Sequence, residues 1–443
     1  MSATTQPELD FDELRPPLAP AEALVEADRC LECGGPHAPA PCAVACPAEV
    51  DVARFIAQIA NGDPEGAATT IFEENILGGT CARVCPVEVL CEAACVLEHE
   101  GGPPIAIAAL QRYATDRFFE QGAPIRPHAP PNGRRVVVIG AGPSGLTCAG
   151  ELAARGYAVT VVDEREEIGG LVRYAIAPYR QARDPLPDEE RALGELGVEL
   201  QLGTRVESRE QLEALTEDAD AVFLGVGLGP DTKVSYPGDD LHGIWESLPF
   251  IEAIKCGRPP SVGSRVVVIG GGNTAIDVAR EAVLLGADEV TILYRRTESE
   301  MPAYAHEIEE ARDEGVRFRF LAAPVAFLGE SLLVDVQCVQ MTLGEPDDSG
   351  RRRPVPLQGS EFTIPADTAV KAIGQEARAE LTAWVDGLEL DHGRVSVDES
   401  GRTGNGKFFC GGDAINGGAS VVEAVRDGKR AAEAIDRELR CRS

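Results

Sequence analysis

Cysteine side chains are concentrated in one part of this 443-residue chain. Eight of the 13 cysteines lie between residues 30 and 95. They form two groups of four, which are Cys30, Cys33, Cys42 and Cys46, then Cys81, Cys85, Cys91 and Cys95. Thiolates are soft ligands for iron–sulfur clusters and for zinc. Cys-Pro steps such as Cys46-Pro47 and Cys85-Pro86 occur in ferredoxin-like cluster sequences. The spacing predicts two metal centres, either two [4Fe-4S] clusters or two structural zinc sites.

A glycine-rich turn follows the second cysteine group. Its residues are Gly140, Gly142, Pro143, Ser144 and Gly145. An apolar run, residues 136–139, precedes the turn, and a second one, Ala158–Val162, ends at Asp163. Between a strand and a helix, G-x-G-x-x-G spacing allows a tight turn, close approach of the backbone to a pyrophosphate and close helix–strand packing. Because Asp163 can accept hydrogen bonds from ribose hydroxyls, the segment predicts a dinucleotide site.

The same pattern occurs a second time after residue 265. The second turn contains Gly270, Gly272, Asn273 and Thr274. Ala275 replaces the last glycine, which the fingerprint tolerates. The following strand, Glu289–Tyr294, ends in Arg295 and Arg296 instead of a carboxylate. A guanidinium pairs with a 2'-phosphate that a carboxylate would repel, so the pair favours NADPH over NADH. The alternative is that both arginines are ordinary surface charges.

Composition limits the partners and the location of this protein. Its net charge of −32 argues against nucleic acid and anionic membranes, which need a basic face. The acidity is explained either by solubility or by adaptation to high salt. No run of about 18 apolar residues suggests a membrane span, and the N-terminus lacks the features of a signal peptide. We therefore expect a cytoplasmic protein with reduced thiols, which favours metal binding over disulfides.

The first turn and three later segments resemble the FAD-binding part of two-dinucleotide flavoproteins. The matching later residues are Gly170, Gly227, Gly412, Asp413, Ser420 and Val421. The resemblance implies that Asp413 binds the ribityl or pyrophosphate region of FAD, and that a helix beginning near Ser420 faces the N1–C2=O edge of the flavin. Cys148, Cys256 and Cys338 are isolated, so neither nucleotide region contains a redox cysteine pair. Electrons from the flavin therefore need another route. Zinc offers no path for electrons, so the two cysteine groups are expected to hold [4Fe-4S] clusters rather than zinc.

Residues 30–116 resemble the N-terminal cluster domain shared by the glutamate synthase small subunit and dihydropyrimidine dehydrogenase, and residues 68–95 are most similar to the latter. The resemblance implies one cluster on Cys30, Cys33, Cys42 and Cys95. It implies a second on Cys46, Cys85, Cys91 and the amide oxygen of Gln111, with Cys81 as a non-ligand. Glutamate synthases tend to have Glu at the position of Gln111. The loop before Cys42 is longer here than in the family.

These features predict an α plus α/β fold, in which an all-helical iron–sulfur domain precedes two Rossmann-like domains of glutathione-reductase type. The expected boundaries are a cluster domain at 1–121, a linker at 122–133, an FAD domain at 134–250 and 371–443, and an NAD(P)H domain at 251–370. We expect hydride transfer from a bound nicotinamide to a bound flavin, which would need stacking and orientation rather than a catalytic side chain. Bound clusters would then give single electrons a way out.

The favoured function is the electron-input subunit of dihydropyrimidine dehydrogenase, with a larger FMN-type catalytic chain as partner. The alternatives are the glutamate synthase small subunit and a stand-alone NADPH-linked donor to ferredoxin or another acceptor. The least favoured hypothesis is a non-enzymatic zinc or nucleotide sensor.

Overall fold

The computed structural model describes residues 13–35, 38–122, 124–346 and 350–441. These residues form two compact units. The first unit comprises residues 13–228 and 377–441, and the second comprises residues 229–376. Residues 1–12, which the sequence assigns to the cluster domain, lie outside the described residues.

The first unit begins with a helical region, as its sequence predicts. Its helices are α1 (Pro20–Asp28), α2 (Pro41–Val44), α3 (Val52–Ala60), α4 (Pro64–Glu74), α5 (Gly78–Val84), α6 (Val96–His99) and α7 (Ile107–Gln121). Helix α3 places apolar residues three and four positions apart, and it buries Phe55, Ile56 and Ile59. The Asp51 carboxylate caps α3 by accepting a hydrogen bond from the backbone N–H of Arg54. Packing of such faces creates the core that holds the cysteine loops.

The chain then alternates strands and helices. The elements are β1 (Arg135–Ile139), α8 (Pro143–Ala154), β2 (Ala158–Val162), α9 (Leu171–Tyr174), α10 (Leu186–Glu195), β3 (Glu199–Gln201), α11 (Arg209–Thr216) and β4 (Ala221–Leu224). Strand β1 lies between β2 and β4 and is parallel to both. Its four apolar residues, 136–139, are buried, because helices cover both faces of such a sheet.

The second unit contains a parallel sheet and an antiparallel sheet. Its elements are β5 (Ile244–Glu246), α12 (Ser247–Lys255), β6 (Arg265–Gly270), α13 (Asn273–Leu284), β7 (Glu289–Tyr294), α14 (Ala305–Asp313), β8 (Arg317–Phe320), β9 (Ala322–Gly329), β10 (Leu333–Pro346), β11 (Arg352–Pro365) and β12 (Thr368–Ala372). The parallel sheet has the order β5-β12-β6-β7-β8, and the antiparallel sheet has the order β11-β10-β9. The unit begins at residue 229 and ends at 376, outside the expected limits of 251 and 370, because β5 pairs with β12 and Asp231 pairs with Gln375.

The last segment completes the first unit. It contains α15 (Ala379–Ala383), β13 (Leu390–Asp391), β14 (Arg394–Val395), β15 (Phe408–Cys410), α16 (Asp413–Asn416) and α17 (Val421–Cys441). Strand β15 pairs with β4, so the five-stranded parallel sheet has the order β15-β4-β1-β2-β3. The predicted fold class, a helical region with two nucleotide-binding sheets, is confirmed. None of the described helices combines the length and apolar character that crossing a bilayer requires.

Candidate functional site

The first thiol group lines a surface pocket in the helical region. Cys30, Cys33, Cys42 and Cys95 share this pocket with apolar side chains including Ile56. Burial raises the pKa of Cys30, and Cys33 and Cys95 add to the rise. Burial likewise raises the pKa of Cys42, to about 11, with a further contribution from Cys30. Cys95 therefore lies with the first group although its sequence neighbours belong to the second, and four soft donors around one pocket fit an iron–sulfur cluster.

The second thiol group contains Cys46, Cys81, Cys85 and Cys91. The pKa of Cys85 is raised well above its usual value, first by the hydrogen bond that it shares with Cys81, then by burial and by its thiol neighbours. Burial is the largest cause of the raised pKa of Cys91, to which Glu92 and Cys46 contribute. Cys81 thus lies among these thiols. No three Cys, His, Asp or Glu side chains in the described ranges lie as close together as one metal ion requires.

Gln111 lies on α7, which contacts α5. Its Nε2 donates a hydrogen bond of 2.8 Å to the carbonyl oxygen of Gly78, the first residue of α5. Helix α5 also carries Cys81, and the chain reaches Cys85 immediately after it. The amide of Gln111 is therefore anchored to the helix that leads into the second thiol group. This contact orients the side chain but leaves its oxygen available as a ligand.

The first glycine-rich turn has the geometry that a pyrophosphate needs. Gly140 has φ 109°, and a Cβ on Gly145 would lie 1.9 Å from the Gly140 oxygen, so both positions require glycine for the fold itself. Gly142 differs, because a Cβ there would meet nothing closer than the Gly225 oxygen at 3.9 Å. Pro143 is the first residue of α8, where its missing N–H costs nothing. The open space at Gly142, beside a helix N-terminus, is what a bound pyrophosphate would fill.

Residues around this turn hold Asp163 in place. The Asp163 carboxylate accepts hydrogen bonds from the backbone N–H groups of Ala141 at 2.6 Å and Arg165 at 2.7 Å. Each oxygen keeps a further lone pair for a ribose hydroxyl. Gly170, with φ 53°, lies against Gly142, since a Cβ on it would be 3.0 Å from the Gly142 Cα. Gly227, with φ 60°, has open space where a Cβ would be.

The late turn lies beside the same helix. Gly412 has φ 72°, and a Cβ there would lie 2.8 Å from the Ser144 Oγ. Burial raises the pKa of Asp413, and Asp427 and Glu423 add to the rise, so its environment suits a hydrogen-bonded carboxyl. Its Oδ1 accepts a hydrogen bond of 3.1 Å from the Ala419 N–H.

Helix α17 begins at Val421, directly after Ser420, as the resemblance implies. The Ser420 hydroxyl and backbone N–H both donate to the Glu423 carboxylate, at 2.9 and 3.0 Å. The Glu423 N–H donates in return to the Ser420 Oγ at 3.4 Å, which completes a capping box. The Ser420 side chain is therefore engaged within its own helix. What α17 can offer to a ligand is the backbone N–H groups of its first turn.

The second glycine-rich turn repeats the geometry of the first. A Cβ on Gly270 would lie 2.1 Å from the Ala372 oxygen, whereas a Cβ on Gly272 would meet only Pro302, at 4.0 Å. Gly272 therefore leaves the same kind of space before a helix N-terminus that Gly142 leaves in the first unit. Asn273 accepts a hydrogen bond of 3.0 Å from the Tyr304 N–H, and Thr274 is exposed in the first turn of α13.

The two arginines after β7 have different environments. Arg295 is exposed, whereas Arg296 is only 4% exposed, and its Nε donates a hydrogen bond of 2.8 Å to the Arg352 carbonyl oxygen. In the sequence, both arginines are equal candidates for binding the 2'-phosphate. In the structure Arg296 is buried and its Nε contacts β11, whereas Arg295 is exposed, so Arg295 is the one of the two that we expect to pair with a 2'-phosphate.

Replacing Arg295 with glutamate is expected to raise the KM for NADPH at least about tenfold more than the KM for NADH. A phosphate that loses an ion pair and faces a carboxylate loses at least about 1.4 kcal/mol of binding, which is a factor of ten. Steady-state kinetics with both nucleotides measure the ratio. Arg258→Glu, at another exposed position of the same unit, is the control. Equal effects on the two nucleotides would contradict the role of Arg295.

Sequence reasoning missed Glu189, a carboxylic acid that links α10 to α5. Glu189 is fully buried, and it accepts hydrogen bonds from the Thr80 N–H at 2.9 Å and the Thr80 hydroxyl at 2.6 Å. Burial raises its pKa to about 7, against the opposing effects of Thr80 and Arg83. In the sequence, Glu189 is one residue of an amphipathic helix. That spacing does not reveal a hydrogen-bond partner 109 positions away.

Glu189 is expected to make the protein less stable as the pH rises. Its folded-state pKa of about 7 exceeds the ordinary value of 4.5. The stability that its proton contributes is complete below pH 4.5 and is lost as the pH rises through 7. The loss amounts to about 3 kcal/mol. Denaturant unfolding of wild type and Glu189→Gln across this range should give a difference that changes with pH. Parallel stability curves for the two proteins would refute the assignment.

Comparisons with known proteins agree with this geometry. Residues 8–123 match the family model described as dihydropyrimidine dehydrogenase domain II, 4Fe-4S cluster. Residues 134–428 match the model of the pyridine nucleotide-disulphide oxidoreductases, which also matches residues 104–239. The first match covers the two thiol groups, and the second covers both glycine-rich turns.

Relatives match over nearly the whole chain. The glutamate synthase [NADPH] small chain of Halomonas elongata is 37% identical over 441 residues, which are 96% of this chain and 92% of that one. The NADP(+)-dependent formate dehydrogenase subunit beta of Moorella thermoacetica is 39% identical over 436 residues, which are 91% of this chain and 60% of the relative.

A solved structure supports the fold alone. The structure of Mycobacterium tuberculosis FprA in complex with NADPH has a TM-score of 0.59 and 21% identity, over 71% of this chain and 85% of that one. Taken with the thiol pocket and the two glycine-rich turns, the matches establish the family. This chain is an oxidoreductase that belongs to the pyridine nucleotide-disulphide oxidoreductase family, is similar over nearly its whole length to the glutamate synthase [NADPH] small chain, and carries a 4Fe-4S domain before its two parallel sheets.

Proposed function

We propose that this chain is an electron-input subunit that takes electrons from NADPH and passes them to a separate, larger catalytic chain. The observation that carries the proposal is the pocket lined by Cys30, Cys33, Cys42 and Cys95 in the same compact unit as the first glycine-rich turn. FAD supplies acceptance of a hydride as an electron pair, and [4Fe-4S] clusters supply transfer of single electrons. A unit that holds FAD and clusters together could accept an electron pair as hydride and release the electrons one at a time.

The residues proposed to bind the nucleotides are those of the two turns. Gly142 and the N-terminus of α8 would receive the FAD pyrophosphate, with Asp163 on the ribose and Asp413 near the ribityl chain. Gly272 and the N-terminus of α13 would receive the pyrophosphate of NADPH. Arg295 would pair with its 2'-phosphate. The support for these roles is that both turns leave open space where a glycine lacks its Cβ.

Two clusters are proposed, each with four ligands. The first would use the four thiols of the pocket. The second would use Cys46, Cys85 and Cys91, with Gln111 as the fourth ligand. The anchoring of Gln111 to Gly78 supports this choice, whereas the hydrogen bond between Cys81 and Cys85 makes Cys81 the competing candidate.

Two kinds of partner are supported by different observations. The Halomonas elongata small chain matches over almost its entire length, which favours a large glutamate synthase chain as the acceptor. Gln111 and the description of the N-terminal family model favour the pyrimidine-reducing chain of dihydropyrimidine dehydrogenase. We place the glutamate synthase chain first, because that comparison covers both units and the other covers only the helical region.

The proposal is tested by reconstitution with purified chains. Alone, the protein should reduce artificial dyes with NADPH but should reduce neither uracil nor 2-oxoglutarate with glutamine. Addition of a large glutamate synthase chain should start NADPH-dependent glutamate formation, and addition of an FMN-type pyrimidine chain should start uracil reduction if that partner is the right one. Uracil reduction by the lone chain would contradict the subunit assignment, and failure to reduce dyes would contradict electron input.

A further inference from the structure

Three consecutive residues of α17 contact two parts of the first unit, which are the region of the parallel sheet and the helical region with the cysteines. Asp427 accepts a hydrogen bond of 3.2 Å from the Gly412 N–H in the late turn. Gly428 packs against α8, and a Cβ on it would lie 2.4 Å from the Ser144 oxygen. Lys429 extends toward the helical region, where its Nζ lies 2.8 Å from the Ala48 carbonyl oxygen. One turn of one helix therefore holds the proposed FAD site and the loop that follows Cys46.

The ammonium of Lys429 is costly where it lies. The residue is only 9% exposed, and a buried ammonium is tolerated only when it is paired and hydrogen-bonded. Its counter-charge is the Glu74 carboxylate, at 2.6 Å, but that side chain is 42% exposed, so solvent screens much of its charge. A methionine could fill the same space without the cost. The charge itself therefore calls for an explanation beyond packing.

The loop that Lys429 contacts is tightly folded around Cys46. The Glu49 N–H donates to the Cys46 carbonyl oxygen at 2.9 Å, and Glu49 has φ 64°, in the left-handed region that favours glycine. Burial raises the pKa of Cys46, and hydrogen bonds from the backbone of Val50 and Ala48 oppose that rise. Backbone N–H groups around a cysteine sulfur and nearby charge are both determinants of the potential of an iron–sulfur cluster.

We propose that Lys429 is a positioning residue for the cluster held by Cys46, because it fixes the loop of residues 46–50 against α17 and raises the reduction potential of that cluster. This inference rests on the second cluster of the proposed function. A fixed positive charge favours the reduced cluster, which carries one more negative charge. The Lys429 Nζ lies 2.8 Å from the Ala48 carbonyl oxygen, and the two residue steps from Ala48 to Cys46 span at most about 7 Å, so the charge lies within about 12 Å of Cys46. At an effective dielectric constant of about 20, a unit charge about 12 Å away changes the equilibrium between the two oxidation states about tenfold.

The test uses the full chain with its clusters and FAD loaded. Lys429→Met should keep FAD, iron and sulfide, but the potential of one cluster, followed by EPR during a redox titration, should fall by about 59 mV, which is tenfold for one electron. Lys429→Arg should restore most of the potential. Arg430→Met, at the exposed neighbouring position on α17, should change nothing. Both clusters present with unchanged potentials in Lys429→Met would overturn the inference.

A second variant covers the case in which Lys429→Met loses the cluster. Glu74→Gln removes the counter-charge at a half-exposed position, so the potential of the same cluster should rise, by less than it falls in Lys429→Met because solvent screens the Glu74 carboxylate. No shift in this variant would overturn the inference. Iron and sulfide analysis of the wild type distinguishes a missing second cluster from a wrong role for Lys429. A wild-type protein with one cluster refutes the second cluster of the proposed function, whereas two clusters with no shift in either variant refute only the role of Lys429.

Discussion

Replacing Cys95 with serine is expected to remove half of the iron and sulfide from the protein. Cys95 lines the pocket with Cys30, Cys33 and Cys42, although Cys91 is its nearest cysteine in the sequence. Serine is a hard oxygen donor and replaces a thiolate poorly in an iron–sulfur cluster. The remaining cluster should be the one on Cys46, Cys85 and Cys91. Iron and sulfide analysis measures the loss, and EPR of the reduced protein identifies the signal that disappears.

Cys81→Ser is the matched control for Cys95→Ser, because both thiols belong to the same stretch of sequence. We expect Cys81→Ser to keep both clusters and Gln111→Ala to change the EPR signal of the second cluster only. The reverse pattern, in which Cys81→Ser loses a cluster and Gln111→Ala changes nothing, would make Cys81 the fourth ligand. Full iron content in Cys95→Ser would refute the exchange of cysteines between the groups.

Alanine at Gly142 is expected to leave the fold intact and to weaken FAD binding about 10- to 100-fold, since forcing a methyl group into a close contact costs about 1–3 kcal/mol. The protein itself has space for this Cβ, whose nearest neighbour would be 3.9 Å away, but a pyrophosphate would occupy the same space. Flavin absorbance after dialysis and fluorescence titration with FAD measure the loss. Circular dichroism should remain that of the wild type.

Gly272→Ala is the corresponding change in the second unit, with a nearest neighbour at 4.0 Å. It should retain FAD and lose NADPH affinity by a similar factor. Gly145→Ala is the steric contrast, because its Cβ would lie 1.9 Å from the Gly140 oxygen, and it should reduce the yield of folded protein. If Gly142→Ala lost NADPH affinity and retained FAD, the assignment of the two nucleotides to the two turns would be wrong.

The main features of fold and site could be read from the sequence because they depend on local spacing. Each glycine-rich turn lies between its strand and its helix as predicted, since a short apolar run followed by G-x-G-x-x-G specifies that unit. The position of Cys95 in the first thiol group followed from the family resemblance, not from spacing, which pairs it with Cys91. The structure supports the resemblance, because Cys95 lines the first pocket.

Other features depend on long-range contacts that no local pattern encodes. The second unit starts at residue 229 because Asp231 pairs with Gln375 and β5 pairs with β12, each more than 120 positions later. Arg295 and Arg296 look equivalent in the sequence, and only the contact with the Arg352 carbonyl separates their environments. Lys429 lies 381 positions from Ala48, so nothing near it in the sequence indicates that it contacts a cysteine loop.

The discontinuous first unit sets an order for folding during synthesis. Residues 229–376 have their own hydrophobic cores and can fold as soon as the ribosome releases them. The first unit cannot be completed until residues 408–441 have been made, because its sheet lacks β15 and its cysteine loop lacks Lys429 before then. The cysteine loops are therefore expected to stay open while the inserted unit matures. We therefore expect clusters and flavin to be bound fully only after residues 408–441 have been made, when the inserted unit has already had time to fold.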